Sequence, residues 1–116
     1  MERPKIIEGK SYQITAGCEH LYVTISGEKD NGASPIELIA KIGKAGGCTN
    51  CLNEAIGRVV SIGLQWGVPI EEYMNTLRGL QCDNPKPFPP SERCLSCPDG
   101  ISVAIRKHLE KDDKST

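Results

Sequence analysis

Two Cys-x-x-Cys pairs, Cys48-Thr49-Asn50-Cys51 and Cys94-Leu95-Ser96-Cys97, constrain this chain more than any other feature. Cys18 and Cys82 stand outside them, which makes six thiols in 116 residues. Aromatic side chains are few: one Trp, one Phe and three Tyr. A chain of this length makes a single domain with a modest core. Cysteine chemistry is therefore expected to help organise the fold, by metal ligation or by dithiol redox exchange. A structural zinc site contributes roughly 10–16 kcal/mol of apparent binding energy in small peptides. That compares with a usual net stability of about 5–15 kcal/mol.

The formal net charge is −1. Lysines and arginines are scattered, so the charge balance gives no support for nucleic-acid binding. No stretch approaches the roughly 18 apolar residues of a membrane span. The opening Met1-Glu2-Arg3-Pro4-Lys5 lacks the apolar run of a secretory signal. A cytoplasmic, reducing setting is expected, where structural disulfides are rare.

The patterning predicts an α+β fold across residues 1–116. Residues 1–10 read as an extended lead-in, and Tyr12–Thr15 as a short strand. Leu21, Val23 and Ile25 alternate with Tyr22, Thr24 and Ser26, the mark of a half-buried strand. Ile36, Leu38, Ala40 and Ile42 repeat that pattern after the turn at Gly27–Gly32. From Leu52 onward, apolar residues at 52, 55, 56, 59, 60 and 64 take helical spacing. Thr49 or Asn50 can cap this helix, and Gly67 can stop it. A second helix is expected from Pro69 through Leu77, ended by Gly79. A third starts after Cys97, with Ser96 as its cap and Ile101, Ala104, Ile105, His108 and Leu109 as its stripe. Gln81–Arg93 is a proline-rich loop, and 111–116 a charged tail. The expected architecture is a small antiparallel sheet covered by about three helices.

Both Cys-x-x-Cys pairs fall where a loop meets a predicted helix N-terminus. Free N–H groups there favour thiolate. Two intervening residues allow both sulfurs to face one tetrahedral ion, and equally allow a small disulfide ring. Spacing does not choose between them. Thiols spread through the chain favour a metal, and the hairpin before Cys48 is unlike the βαβ setting of thioredoxin-type redox motifs. His20 reads as a surface or edge-strand histidine, His108 as solvent-exposed, and Asp99 as a helix-start residue. Met74 and Trp66 read as core or helix-packing residues. Gly43, Gly46 and Gly47 make no phosphate loop, since no Gly-Lys-Ser/Thr follows. No catalytic constellation emerges.

Leu95-Ser96-Cys97-Pro98-Asp99 resembles the signature of the TSCPD domain, with Leu95 in place of Thr. Gly17-Cys18, Leu21-Tyr22-Val23-Thr24, Gly43–Cys48, Glu54–Arg58 and Leu77–Cys82 resemble further blocks in the same order, across about residues 3 to 110. The TSCPD domain is the C-terminal module of coenzyme-B12-dependent (class II) ribonucleotide reductases and also occurs alone. The resemblance implies a zinc-binding accessory domain of deoxyribonucleotide synthesis. It also implies the lack of the catalytic barrel and cobalamin site, so that the chain would not reduce ribonucleotides by itself. The family's recurring cysteines fall on Cys18, Cys48, Cys82 and Cys97, the implied zinc ligands. Cys51 and Cys94 are additions and alternates. The implied partner is a reductase catalytic chain. A dithiol redox partner of such a reductase and a structural or regulatory homodimer are the competing expectations.

Overall fold

The structure, a computed structural model, describes residues 7–15, 20–27, 35–43, 47–82, 85 and 94–113. Cys18, most of the expected lead-in, the turn across 28–32, residues 44–46, most of the proline-rich loop and the last three tail residues lie outside these.

Three strands, β1 (Glu8–Thr15), β2 (His20–Gly27) and β3 (Pro35–Ile42), form an antiparallel sheet in the order β1-β2-β3. The register sets Ile14 opposite Leu21, Tyr12 opposite Val23, and Val23 opposite Ala40. Leu21, Val23, Ile25, Leu38 and Ala40 are buried together on one face, as the alternation predicts. Full burial of such aliphatic side chains stabilises by about 1.5–3 kcal/mol each. Strand β1 is longer than the expected Tyr12–Thr15. Its first half, Glu8-Gly9-Lys10-Ser11, carries no apolar signal and is held by pairing with β2.

Three helices complete the α+β fold: α1 (Gly47–Gln65), α2 (Ile70–Leu77) and α3 (Cys97–Asp113). Helix α1 packs along β3, α3 crosses β1 and β2, and α2 packs on α3. Helix α1 begins before the expected caps. Asn50 instead accepts the Ile42 N–H at 3.3 Å. Pro69 precedes α2 as its N-cap and does not belong to its first turn. Helix α3 continues to Asp113, into the stretch expected as tail.

Strand β3 is an edge strand, and α1 satisfies its outward backbone with side chains. Ser61 Oγ accepts the Leu38 N–H at 2.9 Å, and Gln65 Nε2 donates to the Ile36 carbonyl at 3.2 Å. Asn50 at Ile42 completes the series. The face of α1 toward the sheet is Asn53, Gly57, Val60 and Leu64. This corrects the single stripe read from the sequence, since Leu52 and Val59 point away and are each 64% exposed. Trp66, expected as a core or helix-packing residue, is 80% exposed. Met74 does pack against the core. His108, expected in solvent, is buried and hydrogen-bonded to the Tyr12 hydroxyl at 2.8 Å through Nδ1. Its place on the α3 stripe outweighs its proximity to a charged tail. No helix among the described residues is long and apolar enough to cross a membrane.

Candidate functional site

The start of α3 gathers the polar bonds that position the thiols. Ser96 Oγ accepts the Asp99 N–H at 3.1 Å, the N-cap bond expected of it. The same hydroxyl donates to the Leu80 carbonyl at 2.5 Å. Asp99 does more than face a helix dipole. One carboxylate oxygen accepts the Leu95 N–H at 2.9 Å, and the other accepts the Gly79 N–H at 2.8 Å. Gly79 has φ of 84°, which suits a residue without a Cβ. The Cys82 N–H then donates to the Leu95 carbonyl at 3.0 Å. Segment 79–82 is thereby laid beside residues 94–96, and Cys82 becomes a neighbour of the Cys94–Cys97 pair.

Cys94 is fully buried and belongs to the core. Its S–H donates to the Ser96 carbonyl at 3.2 Å. Burial pushes its pKa up from 9.0 to about 11, and the charges of Asp99, Cys97 and Cys82 push the same way, against the lowering effect of a Ser96 backbone hydrogen bond to the thiolate form. The expectation of a favoured thiolate is therefore wrong for Cys94. It lies just ahead of the helix, shut away from water. Packing here is close: a Cβ at Gly100 would stand 3.1 Å from the Cys94 sulfur and 2.7 Å from Leu21 Cδ2.

Cys82 and Cys97 are partly exposed and line an apolar cleft of about 640 Å³. The facing wall is α1, through Thr49, Leu52 and Asn53. Cys48 and Cys51 lie in the first turn of α1 and are exposed. That turn is tied to the sheet end at which His20 accepts the Gly43 N–H at 3.0 Å. Cys18 lies outside the described residues, but its flanks reach the same end, where Thr15 pairs with His20. His20 itself is exposed, as expected.

Of the implied ligands, then, Cys82 and Cys97 are brought together. Cys48 stands on the helix that forms the opposite wall. Of the alternates, Cys94 lies beneath Cys97 and Cys51 on the α1 turn. Among the described residues, no three His, Cys, Asp or Glu side chains form a group able to hold a metal ion. The donor type suits zinc, which takes thiolate sulfur, but the described sulfurs do not form a closed cage. Sequence reasoning missed Asp99 as the anchor of segments 79–82 and 94–96. The signal available was only its place two residues after Cys97.

No solved structure matches the chain. Vitamin B12-dependent ribonucleotide reductases of Streptantibioticus cattleyicolor, Streptomyces clavuligerus and Streptomyces coelicolor are each 31% identical to it over 78 residues, or 67% of this chain. The chain spans 13% of the first of these proteins and 8% of the other two. The family model of the TSCPD domain matches residues 2–109. With nearly its whole length matched, including the Ser96–Asp99 turn that carries Cys97, the chain belongs to the TSCPD domain family.

Proposed function

We propose that this chain is a zinc-binding accessory module of deoxyribonucleotide synthesis. It docks on a ribonucleotide reductase catalytic chain and does not reduce ribonucleotides by itself. Its ligands are Cys18, Cys48, Cys82 and Cys97, with Cys51 and Cys94 as alternates. The observation that carries this reading is the pinning of Cys82 beside Cys97, by the bond from Cys82 N–H to Leu95 and by the Asp99 carboxylate across Leu95 and Gly79. Such a pin is what a shared ligand pair needs. Zinc would supply a redox-inert cross-link between the start of α3 and the start of α1. The names of the reductase relatives support the metabolic setting.

Elemental analysis of purified protein tests the metal. One zinc per chain is expected, lost in Cys82→Ser and kept in Cys51→Ser. Zinc lost from Cys51→Ser but retained by Cys82→Ser would transfer the site to the two Cys-x-x-Cys pairs. Metal-free protein with all six thiols titratable would sink the zinc reading. Co-purification with a reductase chain from the native host tests the docking.

A second reading has one observation in its favour, the exposure of both Cys48 and Cys51. As a dithiol, this pair would reduce a disulfide of a reductase, forming its own disulfide and passing two electrons and two protons. Disulfide reduction by metal-free protein, lost in Cys51→Ser, would favour it over zinc.

A further inference from the structure

Helix α1 is apolar on two opposite faces. Asn53, Gly57, Val60 and Leu64 face inward. On the other side, Leu52, Ala55, Val59, Ile62 and Trp66 run along the outside, with Leu52 and Val59 each 64%, Ile62 59% and Trp66 80% exposed. The outer residues are spaced alternately by three and four, the seam of a coiled coil, and Cys48 extends it by one step. A contiguous apolar stripe left on the outside of a helix marks a surface that a partner covers. The outer stripe also forms the lip of the apolar cleft, through Leu52 and Val59.

We infer that a second copy of this chain covers the stripe, with the two α1 helices packed antiparallel about a two-fold axis near Ala55 and Val59. The inference does not depend on zinc or on the reductase. Its first support is self-complementarity. Laid antiparallel on itself, the stripe sets Leu52 against Ile62, Ala55 against Val59, and Cys48 against Trp66. Each layer pairs residues of compatible bulk, with the smallest side chain of the stripe beside the axis. A parallel pair would instead stack Trp66 on Trp66 and Ala55 on Ala55, leaving one layer crowded and another hollow.

Charge, the second point, does not oppose the pairing. Glu54 and Arg58 flank the seam on one side and form an exposed pair at 2.6 Å, so each copy brings a locally neutralised pair to the border of the contact and no lone charge to its centre.

Area is the third. The exposed stripe offers roughly 400 Å² of apolar surface per copy, taking about 150–250 Å² for a full aromatic side chain and less for an aliphatic one. With the flanking Cys51, Glu54, Arg58 and Gln65 added, the pair reaches about the 1,000 Å² total that a specific interface needs. The result is a reversible dimer that forms by mass action.

Trp66 is the sole tryptophan and reports the contact directly. Sedimentation of the full chain should show a monomer at low concentration and a dimer at higher concentration, with Trp66 emission moving to shorter wavelength over the same range. Val59→Glu should abolish both changes while leaving the far-ultraviolet circular dichroism intact, because that side chain lies outside the core. Ile62→Lys should do the same from the facing layer. Glu54→Arg should weaken the dimer several-fold, and adding Arg58→Glu should restore it. A chain that stays monomeric to near-millimolar concentration would overturn the proposal. So would a dimer indifferent to both Val59→Glu and Ile62→Lys, or a Trp66 shift that appears only on adding a reductase chain.

Discussion

Removing the Asp99 carboxylate should loosen the whole thiol-bearing end of the molecule. In Asp99→Ala, the N–H groups of Leu95 and Gly79 lose the acceptors they now hold at 2.9 and 2.8 Å. Leu95 is buried, so its stranded donor costs toward the upper part of the about 1–3 kcal/mol range for such groups. Gly79 is exposed and can bond water, which puts it near the lower end. Loss of a carboxylate from the first turn of α3 adds about 0.3–1 kcal/mol. Together these predict a loss of about 4 kcal/mol, a large share of the 5–15 kcal/mol typical of a domain. With an unfolding entropy of about 2.1 cal/mol/K per residue over 116 residues, that lowers Tm by about 16 °C. Asp99→Asn keeps one acceptor, which can serve Leu95, and should cost about half as much. Urea unfolding measures both, with an unchanged slope if the denatured state is unaltered. The Cys82 thiol should also alkylate faster in Asp99→Ala, because the Leu95 carbonyl that fixes it is freed. A cost below about 1 kcal/mol for Asp99→Ala, or equal costs for Ala and Asn, would refute the anchoring role.

Three further outcomes follow from the packing and titration of the same region. In metal-free protein, stability should fall from pH 9 toward pH 11, because the unfolded Cys94 thiol ionises near 9.0 while the folded one holds its proton to about 11. Below that window both states keep the proton and above it both have lost it, so Cys94→Ala should remove this part of the slope and leave the shape of the profile below about pH 8 as in the wild type. Gly100→Ala should destabilise by about 1 kcal/mol in thermal melts, since crowding of Leu21 and Cys94 outweighs the gain in helix propensity; a stabilised variant would show that the site has room. Tyr12→Phe should cost about 1 kcal/mol by removing the hydroxyl bonded to His108, and a urea midpoint equal to wild type would deny that bond any weight.

Strands β2 and β3 were legible because Leu21, Val23 and Ile25, like Leu38 and Ala40, recur at every second position against one buried face, although β2 buries Ser26 and Gly27 as well. The start of β1 was not, because Glu8-Gly9-Lys10-Ser11 becomes a strand through its neighbour and not through its own pattern. Helix α1 was legible as a helix, yet its orientation was misread. Two apolar faces overlap in the sequence, and the inward one contains Asn53 and Gly57, which no hydrophobic pattern would nominate. Gly57 is there because a Cβ would stand 2.8 Å from the Leu38 carbonyl oxygen, so only glycine lets the helix approach the strand this closely. The thiol pairs announced a cysteine-rich site and the helix starts that carry them. They could not announce that Cys94 is core, because burial depends on Ile14 and Leu21, far away in the chain and next to Gly100. Asp99 was visible as a helix-start residue, while its two partners come from loops that no local rule aligns.

Asn50, Ser61 and Gln65 give α1 the position that another strand would otherwise take beside β3. A bare strand border recruits its like from other molecules, so this helix also acts as a guard against fibril growth. A chain cut before residue 47, or one in which α1 is melted by proline, would keep its hairpin pairing but present a sticky flank. It should deposit as thioflavin-positive aggregate at concentrations where the intact protein stays clear.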